Sequence, residues 1–136
     1  MAPENSFLLD TSALLALREE EAGAGEVEDL LRLAEQGGCV LLASFMTRME
    51  LLYVIWRAEG EEAARQTLRL IETFKLEWVS CEPEILEAAA ILKVKGGLSV
   101  ADSWIGATAV VRNALLIHRD PEFRKFQRIP QRFLGT

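Results

Sequence analysis

Short, fully apolar runs alternate along this chain with longer stretches in which apolar residues recur every three or four positions, and that alternation predicts its architecture. Phe7-Leu8-Leu9, running into Asp10-Thr11-Ser12, is the first such run, and Cys39–Ala43 and Ala114–Ile117 repeat it. Runs this short, without polar alternation, read as strands buried on both faces. Leu76–Ser80 alternates instead and reads as a further strand with one face open. A last extended piece is predicted near Arg128–Phe133.

The intervening stretches predict helices. Ala13–Arg18 is short and gives way to the charge- and glycine-rich Glu19–Gly25. Over Glu26–Gln36 the residues Val27, Leu30, Leu31 and Ala34 share one helix face, and Gly37-Gly38 ends it. Phe45–Ala58, capped by Ser44, is apolar almost all round, which implies burial on more than one side. Glu61–Phe74 follows Gly60 and turns Ala64, Leu68, Ile71 and Phe74 inward. Pro83 suits the first turn of a helix running to about Lys95, and Gly96-Gly97 stops it. Ser99 then caps Val100–Arg112, whose Ala101, Gly106, Ala107 and Ala109 allow close approach to a sheet. Asp120-Pro121 reads as a cap with proline at the first helical position. Strands alternating with helices predict an α/β fold built on a mainly parallel sheet of four to five strands, in a single domain spanning residues 1–136.

Composition narrows this only at a few points. A length of 136 residues, half of them hydrophobic, suffices for a core without disulfides or a structural metal, and 26% charged residues excludes wholesale disorder. Cys39 and Cys81 both read as small core residues, because no Cys/His spacing offers a zinc site. No apolar stretch is long enough for a membrane span, and Met1–Ser6 lacks a basic region, so a cytoplasmic location is expected. The net charge of −6 argues against a polyanionic partner until its distribution is considered. Residues 112–136 carry Arg112, Arg119, Arg124, Lys125, Arg128 and Arg132 against only Asp120 and Glu122, so base is segregated from an acidic remainder.

Four acids stand out by context: Asp10 after the first strand, Glu50 inside an apolar helix, Asp102 in the first turn of a small-residue helix, and Asp120 after the fourth strand. Each alone has a structural reading. Asp10 and Asp120 are good helix caps, Asp102 lies three residues after Ser99 as in a capping box, and Glu50 has Arg57 within reach along its helix. Together they suggest more, because acids after buried parallel strands meet at one end of a sheet. Oxygen ligands without histidine or cysteine suit Mg²⁺ or Mn²⁺. Such ions orient a phosphodiester, lower the pKa of a bound water and stabilise the leaving oxygen, so metal-assisted phosphodiester hydrolysis is the chemistry inferred. Two divalent ions would also offset the local negative charge, leaving Arg119, Arg124, Lys125 and Arg128 to hold an RNA backbone.

The segments FLLDTSALLAL at 7–17, SFMTRMELLY at 44–53, LSVADSWIGATAV at 98–110 and LLIHRDPEF at 115–123 resemble, in order and spacing, the PIN-domain ribonucleases, and particularly the VapC-type toxins of toxin–antitoxin systems. The resemblance implies that Asp10, Glu50, Asp102 and Asp120 form an acidic site holding Mg²⁺ or Mn²⁺, where water attacks phosphorus in single-stranded or looped RNA. It also implies a homodimer, and an antitoxin whose tail blocks the site. Thr11 and Ser12 match the family and would orient the water shell. His118 stands where the family often has threonine or serine, and is read as a packing residue before a proton relay. Trp104 stands where a smaller residue is usual, either narrowing the site or, more simply, packing in the core. Glu122 reads as an outer acid or a first-turn helix charge. Two other functions remain open at this level: a receiver-like phosphoacceptor domain and a non-catalytic protein-interaction module.

Overall fold

The computed structural model describes residues 5–135, so all but the last two residues of the segment Met1–Ser6 lie outside the described residues. The elements follow one another as β1 (Ser6–Leu9), α1 (Thr11–Arg18), α2 (Ala24–Glu35), β2 (Val40–Ser44), α3 (Phe45–Glu59), α4 (Glu61–Glu72), β3 (Glu77–Val79), α5 (Pro83–Lys95), α6 (Val100–Val111) and β4 (Leu115–His118). A short 3-10 helix (Pro121–Lys125) and β5 (Gln131–Phe133) complete the order. The five strands form one sheet in the order β3-β2-β1-β4-β5, and every neighbouring pair is parallel.

The apolar runs become strands because they are buried on both faces. Leu8 lies opposite Leu42 on one side and Leu116 on the other, and all three enter a core layer with Ile85, Leu92 and Ile105 of α5 and α6. Leu9 and Ile117, also in register, point the opposite way and pack with Leu14, Val27, Leu51, Ile55 and Ile71 of α1 to α4. Helices therefore cover both faces of the sheet, as an all-parallel sheet requires. β1 sits at its centre, with β2 and β3 following to one side and β4 and β5 to the other. The order in which strands are added to the sheet switches sides between β1 and β4, and in sheets of this kind ligands bind in the crevice beyond the carboxyl ends of the strands at that point.

Turn chemistry places the boundaries. The break predicted at Glu19–Gly25 is tighter than the sequence suggested, because Gly23, with φ +94°, already caps α2. A Cβ on Gly23 would lie 2.7 Å from the Cβ of Leu134, so both backbone conformation and space demand glycine there. Gly106, on the small-residue helix, admits the Ile129 side chain, whose Cδ1 would stand 2.8 Å from an added Cβ. One core assignment is corrected: Cys39 is buried, but Cys81 is exposed, because β3 ends at Val79 and Cys81 falls in the open turn before α5. No described helix is long and apolar enough to cross a membrane.

The two glycines flanking Ala24 test this account. Gly23→Ala is expected to lower unfolding free energy by roughly 1–3 kcal/mol, through positive φ and the fixed Leu134 Cβ. Gly25→Ala, inside α2 with open space around it, is expected to raise it by about 0.4–1 kcal/mol. Urea denaturation of both variants reads the difference; equal effects would show that the Gly23 turn is not constrained as described.

Candidate functional site

Beyond the ends of β1 and β4 the chain assembles its acids from four separate segments. Asp10 follows β1, and its backbone N–H continues the ladder by donating to the Ile117 carbonyl at 3.0 Å. Its side chain has two distinct roles. Oδ2 accepts from the Ser12 N–H at 3.0 Å and from the Ser12 hydroxyl, capping α1, whereas Oδ1 is buried with no hydrogen-bond partner. The capping role read from sequence is thus present, and it leaves one oxygen free.

Glu50 projects from α3 toward α1. Its Oε1 accepts from the Thr11 hydroxyl at 2.7 Å, and that hydroxyl shares a 3.0 Å hydrogen bond with Thr47, one helical turn before Glu50. The Arg57 alternative does not apply, since its guanidinium lies over the Tyr53 ring instead. Asp102 enters from the first turn of α6, where the Ser99 hydroxyl accepts from the Asp102 N–H at 3.0 Å. This bond uses the Asp102 backbone, so the carboxylate is left for the cluster. Asp10, Glu50 and Asp102 each offer a carboxylate oxygen within 4.8 Å of the others. Asp120 adjoins this trio through Asp102, with which its side chain shares a hydrogen bond; its Oδ1 also accepts from the Glu122 N–H at 3.0 Å and caps the 3-10 helix, and its charge acts on all three.

The electrostatics are those of acids crowded without a counter-charge. Among the described residues none of the four is in a salt bridge, although Arg18, Arg48, Arg112 and Arg119 pair with other acids. Burial pushes the Asp10 carboxyl up to about 6, against the downward pull of the Ser12 bonds, and the charges of Glu50 and Asp120 add to the rise. Burial, then Asp10 and Asp120, push Asp102 up to about 8. Burial likewise raises Glu50. Burying charge without compensation is costly, and an orphaned carboxylate oxygen on an acid clustered with two others fits a bound cation. The all-oxygen donor set suits a hard divalent ion such as Mg²⁺ or Mn²⁺.

The remaining candidates sort clearly. The Thr11 and Ser12 hydroxyls hold Glu50 and Asp10. His118 is fully buried between Phe123 and Phe133, and both ring nitrogens are engaged, so the water-orienting role allowed for it is replaced by an internal one. Burial also holds its imidazole below the usual range. Trp104 packs edge-to-face on Phe45, 5.2 Å between ring centres, against the α5/α6 core. Of the basic residues, Arg119 stands nearest the acids: its N–H donates to the Ser12 hydroxyl at 2.9 Å and its guanidinium reaches Glu21 at 3.4 Å, with Nε buried and unpartnered. Arg124 lies over Phe133, Lys125 pairs with Glu122, and Arg128 lines a groove with Ala88, Leu92 and Ala107 of α5 and α6. The structure does not gather these four into one patch. Two contributors escaped the sequence reading. Thr47 was detectable, three residues before Glu50 on its helix face; Gln131 looked like an ordinary surface amide.

The family model described as the PIN domain matches residues 7–129. The chain belongs to the PIN-domain family. No curated protein sequence matches it. Among solved structures, this PIN domain is similar to VapBC2 from Rickettsia felis bound to a promoter DNA fragment, with TM-score 0.76 and 16% identity over 94% of this chain and 98% of that one. It is similar to DNA-bound VapBC from Salmonella typhimurium, with TM-score 0.74 and 16% identity over 95% and 98% of the two chains. It also resembles VapC20 of Mycobacterium tuberculosis, described as a Sarcin-Ricin loop cleaving toxin, with TM-score 0.70 and 18% identity over 96% and 98%. At these identities the likeness establishes the fold, and PIN membership sets aside the receiver-like alternative.

Crowded acids make the PIN domain's metal-free stability fall with pH. Unfolded aspartates lose their protons near 3.8, whereas folded Asp10 and Asp102 keep theirs to about 6 and about 8. The folded state therefore binds more protons between about pH 4 and pH 8, and its stability declines across that window as pH rises. Thermal melts in chelator at pH 5, 6.5 and 8 should show Tm falling for the wild type and falling less for Asp10→Asn, which should be the more stable protein at pH 8. Parallel curves for the two proteins would contradict the electrostatic account.

Proposed function

We propose that this protein is a divalent-metal-dependent endoribonuclease, and the toxin of a toxin–antitoxin pair. The observation that carries the reading is the buried, unpartnered Oδ1 of Asp10, in a carboxylate clustered with those of Glu50 and Asp102 with no salt-bridged base to balance them. Support comes from PIN membership and from structural neighbours described as VapBC complexes or, in one case, as a toxin that cleaves the Sarcin-Ricin loop.

In this reading Asp10, Glu50 and Asp102 hold Mg²⁺ or Mn²⁺, with Asp120 adjoining them. The bound ion supplies Lewis-acid polarisation of the phosphodiester and a lowered pKa for the attacking water. The chain's own part is positional. Ser12 fixes Asp10, Thr11 and Thr47 fix Glu50, and the α6 backbone fixes Asp102, so the acids are held close together where a cation would be received. Arg119, whose backbone N–H binds Ser12 and whose guanidinium pairs with Glu21, would turn to a phosphate of the substrate; Arg124 and Lys125 follow it on the same connection. Neutralising the acids removes the main repulsion against an RNA backbone, and the expected compartment is the cytoplasm.

Partners follow from a second surface. On the outer side of α3, Met49 is 51% exposed, Tyr53 41% and Trp56 43%, and their spacing puts them on one face. Large exposed apolar side chains in contiguous array suit a protein interface, here with a second copy of the chain or an antitoxin.

Two measurements test the nuclease. Asp10→Asn preserves a capping side chain and removes the charge, so it should cut RNA cleavage on the order of 100-fold or more with an unchanged far-UV spectrum. Excess EDTA should abolish wild-type cleavage and Mn²⁺ should restore it. Wild-type cleavage that survives excess EDTA, or full cleavage by purified Asp10→Asn, would overturn the metal mechanism. Calorimetry that found no Mn²⁺ binding at the acidic cluster would favour the interaction-module alternative, whose acids are structural.

A further inference from the structure

The connection from β4 to β5 carries Asp120 and is built of successive turns, with backbone hydrogen bonds from the N–H groups of Phe123, Phe126 and Ile129 each reaching three residues back. Its inward carbonyls converge on a single side chain. The Gln131 amide nitrogen donates to the carbonyls of Phe123 at 2.7 Å, Phe126 at 2.9 Å and Ile129 at 3.2 Å. Only an NH₂ group can face three carbonyls, so the orientation of this amide is fixed and its oxygen is turned to the other side. That oxygen lies 2.9 Å from His118 Nε2.

The consequence passes through the imidazole. An amide oxygen only accepts, so Nε2 carries the ring proton, and a neutral imidazole protonated there has a bare lone pair on Nδ1. Nδ1 is the group that receives the Asp120 N–H, at 3.1 Å. His118 cannot tip away to make other contacts. Its ring is fully buried, with Phe123 and Phe133 at ring-centre distances of 5.1 Å and 5.6 Å, and its carbonyl accepts from the Leu134 N–H at 2.8 Å. Asp120 is thereby gripped on both sides: its backbone by the imidazole, its Oδ1 by the Glu122 N–H.

We infer that His118 and Gln131 form a positioning pair, in which Gln131 folds the β4–β5 connection onto itself and fixes the imidazole tautomer that holds the Asp120 backbone beside the acidic cluster. Neither side chain touches the other three acids, so both act through Asp120. This inference rests on the metal-site reading for its effect on function, but the hydrogen-bond pattern exists without it.

The test uses the full chain and separates the two. Long-range ¹H–¹⁵N spectra of the wild type without metal should show His118 protonated at Nε2 and not at Nδ1; the opposite tautomer would overturn the pair whatever the protein's activity. His118→Phe keeps a ring for Phe123 and Phe133 but offers no acceptor. His118→Asn restores one, because an Asn oxygen reaches the N–H two residues on. With Mn²⁺ alone as the titrant, His118→Phe should bind about 10–100-fold more weakly than wild type, and His118→Asn should recover most of that loss. Steady-state RNA cleavage should fall in kcat more than it rises in KM for His118→Phe. Wild-type Mn²⁺ affinity in His118→Phe, or equal defects in the two variants, would overturn the positioning role. If the wild type bound no Mn²⁺ while showing the expected tautomer, the metal reading would fail and the His118–Gln131 pair would stand.

Discussion

Four carboxylates share one end of a parallel sheet with no basic side chain among them, and much of the surrounding structure answers that constraint. Ion pairing would relieve the repulsion but would also fill the site. The chain uses neutral donors instead. Hydroxyls of Thr11 and Ser12 take one oxygen each of Glu50 and Asp10, and backbone N–H groups of Ser12 and Glu122 take oxygens of Asp10 and Asp120. Helix starts add a further term, since α1 and the 3-10 helix begin directly beyond β1 and β4, and α6, which follows α5, brings its first turn to the same cluster. Asp10 caps α1, Asp102 sits in the first turn of α6 and Asp120 caps the 3-10 helix, so three of the acids meet the partial positive charge of a helix start. These contacts make the cluster tolerable while leaving it short of full compensation, as the raised Asp10 and Asp102 carboxyls record.

The rigidity of the site comes from the sheet beneath it. β1 is the central strand, and Leu8 and Leu9 are fully buried on opposite faces, so Asp10 emerges from the best-packed part of the molecule. Asp120 emerges from a less regular setting, since the β4–β5 connection follows an edge and is stitched by side chains. The difference explains why one acid needs only its own strand and Ser12, while the other depends on a buried histidine and an amide several residues away.

How far the sequence disclosed this follows from the range of the interactions involved. Strand identity was legible because Phe7–Leu9, Cys39–Ala43 and Ala114–Ile117 are apolar without interruption, and boundaries were legible because Gly37-Gly38, Gly60, Pro83, Gly96-Gly97 and Pro121 act locally. Cys81 was misjudged because the alternation of Leu76–Ser80 suggested a longer strand than the three residues that pair. The convergence of Asp10, Glu50 and Asp102 was only an inference from strand ends, since strand order is a tertiary property. Thr47 and Gln131 matter through single contacts with partners distant in the chain or in an irregular loop, and no periodicity marks such residues.

The choice between a structural and a chemical role for each acid, which the sequence posed as an alternative, dissolves at the level of individual atoms. A carboxylate has two oxygens, and a cap requires one. In Asp10 the capping oxygen is Oδ2 and the unpartnered one is Oδ1; in Glu50, Oε1 is held by Thr11. Asp102 divides the work differently, with its backbone N–H serving the Ser99 cap and its carboxylate left to meet Asp120 and the cluster. Each hydrogen bond that fixes an acid therefore also selects which oxygen faces the site. Helix capping is in this sense the means by which the acids are aimed, and the residue types that suit caps, Asp with a following Ser or Thr, are for that reason the ones found where a cation would sit.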